Sequence, residues 1–316
     1  MNTGIVIGAA ASGSADVSAV YQWGLTVVKF IQTWDNPAVD TFMRDVSVFG
    51  AEAGYLALLP LIFWCIDEKK GVRIGVILLF STWINASLKI LFHQPRPFQL
   101  DPSVGKSFEP TYGIPSGHAQ SSFVFWTVIA SWTKRTWVFV LAILLSFVMG
   151  VSRLYLGVHF PTDLFAGWLL GGVILVCYIL FEKRISDFLA KSGLRVQLVV
   201  SATVSFAAIL TGNILLGGAI LGMGAGYALM LKFARFTAKP KRERRLFTVL
   251  LRYIVGVAGV AVLNFVFRNL TPDKGSAYYP LIYFCLPVSL GLWVYAGAPW
   301  VFIKLRLAER RQEFTR

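Results

Sequence analysis

The chain of 316 residues is 56% hydrophobic and 15% charged, with 30 Lys plus Arg against 16 Asp plus Glu. Soluble domains carry about 25% charged residues; a mean hydropathy of +0.64 excludes a disordered chain and argues against a soluble one. A net charge of +14 on so apolar a chain therefore points to cations in the cytoplasmic loops of a membrane protein, not to a nucleic-acid binder.

The N-terminus carries no basic stretch followed by an apolar core, so no cleaved signal peptide is expected. Residues 17–46 mix apolar positions with Gln22, Lys29, Asp35, Asp40, Arg44 and Asp45, which reads as helices lying in the interface. The alternative is that 17–33 crosses the bilayer. Nine segments have the length and composition of spans: 48–66, 72–92, 115–132, 136–152, 159–181, 197–214, 216–234, 246–267 and 279–303. The pair 197–214 and 216–234 needs a tight turn, at Thr211-Gly212-Asn213 or at Gly217-Gly218. The expected fold class is all-α, a polytopic transmembrane helical bundle of about nine spans with an N-terminal interfacial helix. Its parts are 1–47, interfacial; 48–181, a core; and 182–316, an extension of about four spans. Cys65, Cys177 and Cys285 lie in apolar runs without metal-ligand spacing and read as packing residues.

Basic residues orient the chain. With nine spans, the loops 67–73, 133–135, 182–196 and 235–245 and the C-terminal tail fall on one side. Together with Lys232 and Arg252 they hold 22 of the 30 Lys plus Arg, which places that side in the cytoplasm. The cluster 239–245 reads as a topology determinant, not a nucleic-acid patch.

The unusual residues gather on the other side. Span 72–92 runs into Lys89 and, seven residues on, Arg96 between Pro95 and Pro97; two helical turns would put both cations on one face. The next span opens Pro115-Ser116-Gly117-His118, with Pro suited to the first turn. A helix start offers free N–H groups to an anion, and His118 stands beside it to move a proton. Ser152-Arg153 precedes His159, and Asp163 follows four residues later on the same helical face, where it can accept a hydrogen bond from one imidazole nitrogen and leave the other free. Only three histidines occur, and all fall in these segments. An anion pocket beside two histidines suits phosphoryl transfer. Without an Asp/Glu cluster for a metal, no metal and no cofactor are expected.

The pattern Lys89-x6-Arg96-Pro97, Pro115-Ser116-Gly117-His118, Ser152-Arg153-x5-His159-x3-Asp163 resembles the three-part signature of the type-2 phosphatidic acid phosphatase superfamily at every position. That superfamily includes lipid phosphate phosphatases, glucose-6-phosphatases and vanadium haloperoxidases. The resemblance covers roughly 48–181 and implies roles. His159 would be the nucleophile that forms a phosphohistidine, Asp163 its orienting acid, and His118 the acid that protonates the leaving group. Lys89, Arg96, Ser116, Gly117 and Arg153 would bind phosphate. His93 is outside the signature and reads as a loop residue. Lys106 and Glu109, in loop 98–114, are near enough in sequence to touch the substrate, but no spacing requires it.

A nine-span plan is similar to that of glucose-6-phosphatases and sphingosine-phosphate phosphatases, whereas many bacterial relatives have six spans. The expected activity is hydrolysis of a lipid phosphate or pyrophosphate at the extracytoplasmic face. The expected partners are the lipid substrate and the bilayer, without nucleic acid. Glycines of the extension serve packing or dimerisation, so a homodimer is one use of them. A bacterial inner membrane with a periplasmic site is the expected location; an endoplasmic reticulum with a lumenal site is the eukaryotic counterpart. Competing readings are a sugar-phosphate phosphatase, a lipid phosphotransferase, and a lipid transporter or scramblase.

Overall fold

A computed structural model describes residues 14–50, 52–239 and 245–311. Lys241, Arg242, Arg244 and Arg316 of the basic regions lie outside them. Helices joined by turns and loops make up the described chain, with one two-residue strand pair.

α1 (Ser14–Gln32) and α2 (Pro37–Phe49) are joined through Asn36, whose side-chain oxygen accepts from Ala38 N and Val39 N at 3.1 Å. α3 (Glu52–Leu61) passes into a π-helical turn at Ile62–Ile66. Asp67 then caps α4 (Glu68–Phe92) by accepting from Lys69 N and Lys70 N. Pro95 and Pro97 bar a continued helix, and α5 (Pro97–Leu100) is a single turn. α6 (Gly117–Ser131), α7 (Thr136–Tyr155) and α8 (Pro161–Lys191) complete the half that carries the motifs.

α9 (Leu194–Leu210) and α10 (Ile214–Leu229) form the expected hairpin, and the turn is Thr211–Asn213 with Gly212 at φ 82°. α11 (Arg245–Leu270), α12 (Tyr279–Leu292) and α13 (Ala298–Lys304) follow. β1 (Phe236–Thr237) pairs antiparallel with β2 (Glu309–Arg310) and ties the tail to the segment before α11. Glycines on α10 let helices approach: a Cβ at Gly222 would sit 2.4 Å from Val288 O of α12, and one at Gly217 3.0 Å from Ser205 O of α9. Those glycines are thus used for packing inside the chain.

Six described segments are long and apolar enough to cross a membrane: Glu68–Leu100, Thr136–Tyr155, Pro161–Lys191, Ile214–Ala234, Leu246–Leu270 and Tyr279–Lys304. The other three expected spans are helical but shorter. α6 has 15 residues, a rise of about 22 Å against a hydrocarbon core of about 30 Å. Its N-terminus accordingly starts inside the protein, where Ser116 is fully buried.

α6 is the centre of the motif-bearing half, packed against α4, α7 and α8. α8 closes on it through Gly167, where a Cβ would lie 2.6 Å from Ser116 O. One core, with Ile74, Ile77, Val124, Phe125 and Ile174, fills the space between α4, α6 and α8. A second, with Val28, Val104, Tyr155, Val158 and Leu164, seats α1 against the loops beside the motifs.

Candidate active site

The three motifs converge on one buried polar cluster near the N-termini of α6 and α8. Arg96, Ser116, Arg153, His159 and Asp163 are each at most 2% exposed, and Lys89 is 9% exposed. Buried charges at this density are costly unless paired or functional.

Arg96 does not share a helical face with Lys89, because α4 ends at Phe92. His93 caps that end in a left-handed backbone conformation, φ 50°, and is exposed with its ring edge on Tyr112. The chain turns back there, and Arg96 enters the cluster from the loop. Its Nε donates to Thr111 O at 2.6 Å, Nη1 to Val158 O at 2.7 Å, and Nη2 to Thr111 Oγ1 at 2.9 Å. Lys89 Nζ donates to Tyr112 O at 2.6 Å and to Gly113 O at 3.0 Å. Both cations therefore also hold the strap formed by residues 98–114.

His159 and Asp163 meet, but not across one helical face. His159 lies in the loop before α8, and Asp163 sits in the first turn of α8. Asp163 Oδ2 accepts from Phe160 N at 2.9 Å and faces His159 Nδ1 at 3.1 Å. One oxygen thus caps the helix and orients the imidazole. His159 Nε2 then points at Arg96 Nη1, 3.1 Å away. Burial, and after it the charges of Arg96, Lys89 and Arg153, holds this imidazole's pKa well below the ordinary value, so the ring is neutral.

α6 begins at Gly117, with Ser116 as its cap and Pro115 before the cap, two positions later than a Pro at the first helical position requires. Ser116 N donates to Asp163 O at 2.9 Å, which locks the start of α6 to the start of α8. Asn85 Nδ2 donates to Pro115 O at 3.2 Å and to Gln120 Oε1 at 2.7 Å, tying α4 to the same place. Two helix N-termini and their positive dipole ends are thus set side by side. His118, in the first turn of α6, is within electrostatic reach of Arg153, Lys89 and Arg96.

Arg153, in the last turn of α7, has Nε buried without a hydrogen bond, a donor left for a ligand. Its Nη1 is hydrogen-bonded to Ser47 Oγ of α2, and its Nη2 pairs with Glu109. Ser47 and Thr111 were not foreseen; neither has a motif around it, and only the fold brings α2 and the strap to the arginines. Glu109 was foreseen only as a neighbour of the substrate, yet it contacts both arginines, with Oε2 3.2 Å from Arg96 Nη2. Lys106 instead pairs with Asp35 at 2.8 Å. Among the described residues, no group of three His, Cys, Asp or Glu is placed to hold a metal ion.

Comparison with known proteins adds an independent finding. A family model described as PAP2 superfamily matches residues 70–186, and one described as PAP2 superfamily phosphatase, transmembrane extension, matches 214–310. Lipid phosphate phosphatase delta of Arabidopsis thaliana is 26% identical over 183 residues, 52% of this chain and 44% of that protein. The chain thus spans less than half the length of the plant relative. An undecaprenyl-diphosphatase of Sulfolobus acidocaldarius is 35% identical over 167 residues, 51% of this chain and 79% of that one. The crystal structure of a transmembrane PAP2-type phosphatidylglycerolphosphate phosphatase of Bacillus subtilis aligns with a TM-score of 0.47 at 24% identity, over 53% of this chain and 88% of that chain.

Proposed function

This chain belongs to the PAP2 superfamily, and from that premise we propose that it is a membrane phosphatase acting on a lipid phosphate or pyrophosphate through a phosphohistidine. The observation that carries the reading is the position of His159. One ring nitrogen lies 3.1 Å from a buried carboxylate and the other 3.1 Å from a buried guanidinium.

With Asp163 accepting the Nδ1 proton, the lone pair of Nε2 faces the cationic pocket. Arg96, Arg153 and Lys89, with the amides at the start of α6, hold the phosphoryl oxygens and stabilise their charge in the transition state. Nε2 attacks phosphorus, and the bond to the leaving oxygen breaks as His118 delivers its proton. Water then attacks phosphorus, giving a proton to His118 while the P–N bond breaks, and phosphate leaves. Charge stabilisation comes from side chains and helix ends, so no metal enters any step.

A lipid substrate would bring its headgroup to the cationic cluster while its acyl or prenyl chains stay among the apolar spans. Candidates are undecaprenyl pyrophosphate, phosphatidic acid, phosphatidylglycerophosphate and sphingoid phosphates. We read the Lys- and Arg-rich loops as cytoplasmic, which supports a site on the opposite side, at the periplasmic face of a bacterial inner membrane. Asn269-Leu270-Thr271 has N-glycosylation spacing in an outward loop. Outward sequence alone therefore gives no ground for preferring bacteria. The support is that the chain covers 95% of a Bacillus subtilis relative and 72% of an Escherichia coli one. Residues 48–181 would form the catalytic core, 1–47 an interfacial platform and 182–316 a packing extension.

The test is phosphate release by purified protein across lipid and soluble phosphate esters, in chelator, with His159→Ala as blank. Release from at least one lipid, lost in the variant, is expected. Soluble sugar phosphates turned over as fast as any lipid would displace the lipid reading.

A further inference from the structure

The cationic pocket is already occupied by a carboxylate of the chain itself. Glu109 offers one oxygen to Arg153 Nη2 and the other to Arg96 Nη2, the latter at 3.2 Å. A single carboxylate thereby bridges two guanidinium groups that arrive from different elements, α7 and the loop after α4. It presents two oxygens to them as a phosphoryl group would. The neighbouring Nη1 of Arg96 is the one that reaches His159 Nε2 at 3.1 Å. The carboxylate therefore lies within one guanidinium's width of the nitrogen that the proposed reaction uses.

The strap that carries Glu109 is fixed before it and after it. Lys29 holds Asp101 at 2.8 Å, Gln32 Nε2 donates to Val104 O at 2.8 Å, and Lys106 holds Asp35 at 2.8 Å. Beyond it, Thr111 is held by Arg96, and Tyr112 and Gly113 by Lys89. Between these moorings, Phe108 is 74% exposed and Pro110 is exposed. Glu109 itself keeps 24% of its side chain exposed, unlike the arginines it bridges. Among the described residues, Glu109 is the carboxylate that pairs with both arginines, and it is partly open to solvent.

We propose that Glu109 is a specificity-determining residue, the resident counter-ion of the anion pocket, which a phosphoryl group must displace. The proposal rests on the reading of Arg96 and Arg153 as phosphate ligands. Two buried guanidinium groups without an anion are costly, and Glu109 relieves that cost while the pocket waits. A phosphate monoester carries a charge of about −1.5 to −2 and three free oxygens, so it outcompetes a carboxylate. A phosphodiester carries a single charge and two free oxygens and does not. The residue therefore sets a charge threshold that favours terminal phosphates and pyrophosphates over the diester headgroups that make up the surrounding bilayer.

The experiment measures binding of inorganic phosphate and of dimethyl phosphate to the full chain in detergent micelles by calorimetry, for wild type, Glu109→Gln and Glu109→Asp. Glu109→Gln is expected to tighten phosphate at least tenfold and to make dimethyl phosphate binding measurable. Glu109→Asp keeps the charge but is one methylene too short to span both arginines, and it is expected to tighten phosphate as well. It also keeps the question open to test if the Gln variant does not fold. Unchanged or weaker phosphate binding in both variants would overturn the proposal. So would tightening in Gln with none in Asp, which would mean that the charge acts from a distance without filling the pocket. A wild-type protein that binds no phosphate, with variants that bind none either, would instead overturn the phosphate site on which the proposal rests.

Discussion

Asp163→Asn removes a charge and almost no volume, and the structure says what the amide meets. Asp163 is fully buried. Its Oδ2 serves both Phe160 N at 2.9 Å and His159 Nδ1 at 3.1 Å, while its Oδ1 makes no hydrogen bond. If the Asn oxygen takes the Oδ2 position, the new NH2 group fills the unpartnered one. A buried donor left unsatisfied costs about 1–3 kcal/mol. If the amide is flipped, its NH2 confronts the Phe160 N–H and forces Nδ1 to become an acceptor. The proton then moves to Nε2, the nitrogen that attacks in the proposed mechanism. In Ser-His-Asp triads the same change of tautomer lowers kcat about 10⁴-fold, or about 5.4 kcal/mol at 1.36 kcal/mol per decade. The expected result is therefore a loss of three to four decades in kcat on a lipid phosphate (order of magnitude, from the same comparison), with a melting midpoint lowered but a cooperative transition kept. KM should change little, because the cations are untouched. The assay is phosphate release in mixed micelles alongside a thermal melt. A variant within tenfold of wild type in kcat would refute the orienting role of Asp163.

The remaining expectations probe the frame around the site. Gly167→Ala places a Cβ about 2.6 Å from the carbonyl of Ser116, a backbone atom that cannot swing aside. Overpacking of this kind costs about 1–3 kcal/mol, and a melting curve together with vanadate inhibition should show lower stability and weaker anion binding; an unchanged melt would mean that α6 and α8 are not fixed at that contact. His159 is held below the ordinary imidazole pKa of about 6.5, so it stays neutral as the pH falls through that value. The acid limb of kcat/KM assigned to His159 should therefore lie well below 6.5, and an acid limb at or above it would contradict the electrostatics. The unfolded chain takes up that proton first, so this residue's contribution to stability is present above about pH 6.5 and declines below it. At the strap, Lys29 and then Ser103 hold Asp101 down to about 2. Its contribution is present above the unfolded value of about 3.9 and lost as the pH falls toward 2. Lys29→Met should flatten that part of the melting temperature against pH, and an unchanged slope between pH 5 and 2 would show that the pair does not moor the strap.

Much of the site was legible because its chemistry is scarce. His118 and His159 stand out in a chain with three histidines, and buried Lys89, Arg96, Arg153 and Asp163 stand out in apolar surroundings. Spacing named the partners but not the geometry. Lys89 and Arg96 were placed on one face, yet the left-handed His93 ends the helix and sends Arg96 in from a loop. His159 and Asp163 were read as an i, i+4 helical pair, whereas the carboxylate works from the first turn of α8 back onto the loop before it. Glu109 and Ser47 were invisible as partners of Arg153 because long-range packing of the strap and α2, not local pattern, brings them there. Hydropathy found the helices at all nine expected spans but not their lengths, since a helix that starts inside the protein, as α6 does, is shorter than the bilayer.

The central claim is that phosphorus is passed to a nitrogen of His159. The most direct measurement is a single-turnover reaction with a lipid labelled at its terminal phosphate, quenched in alkali, which preserves a P–N bond, and mapped by mass spectrometry. Transient label on the peptide that contains His159, formed at the rate of lipid consumption and absent from His159→Ala, is the predicted result. Lipid turnover with no label on the protein, or with label on any other residue, would contradict the account.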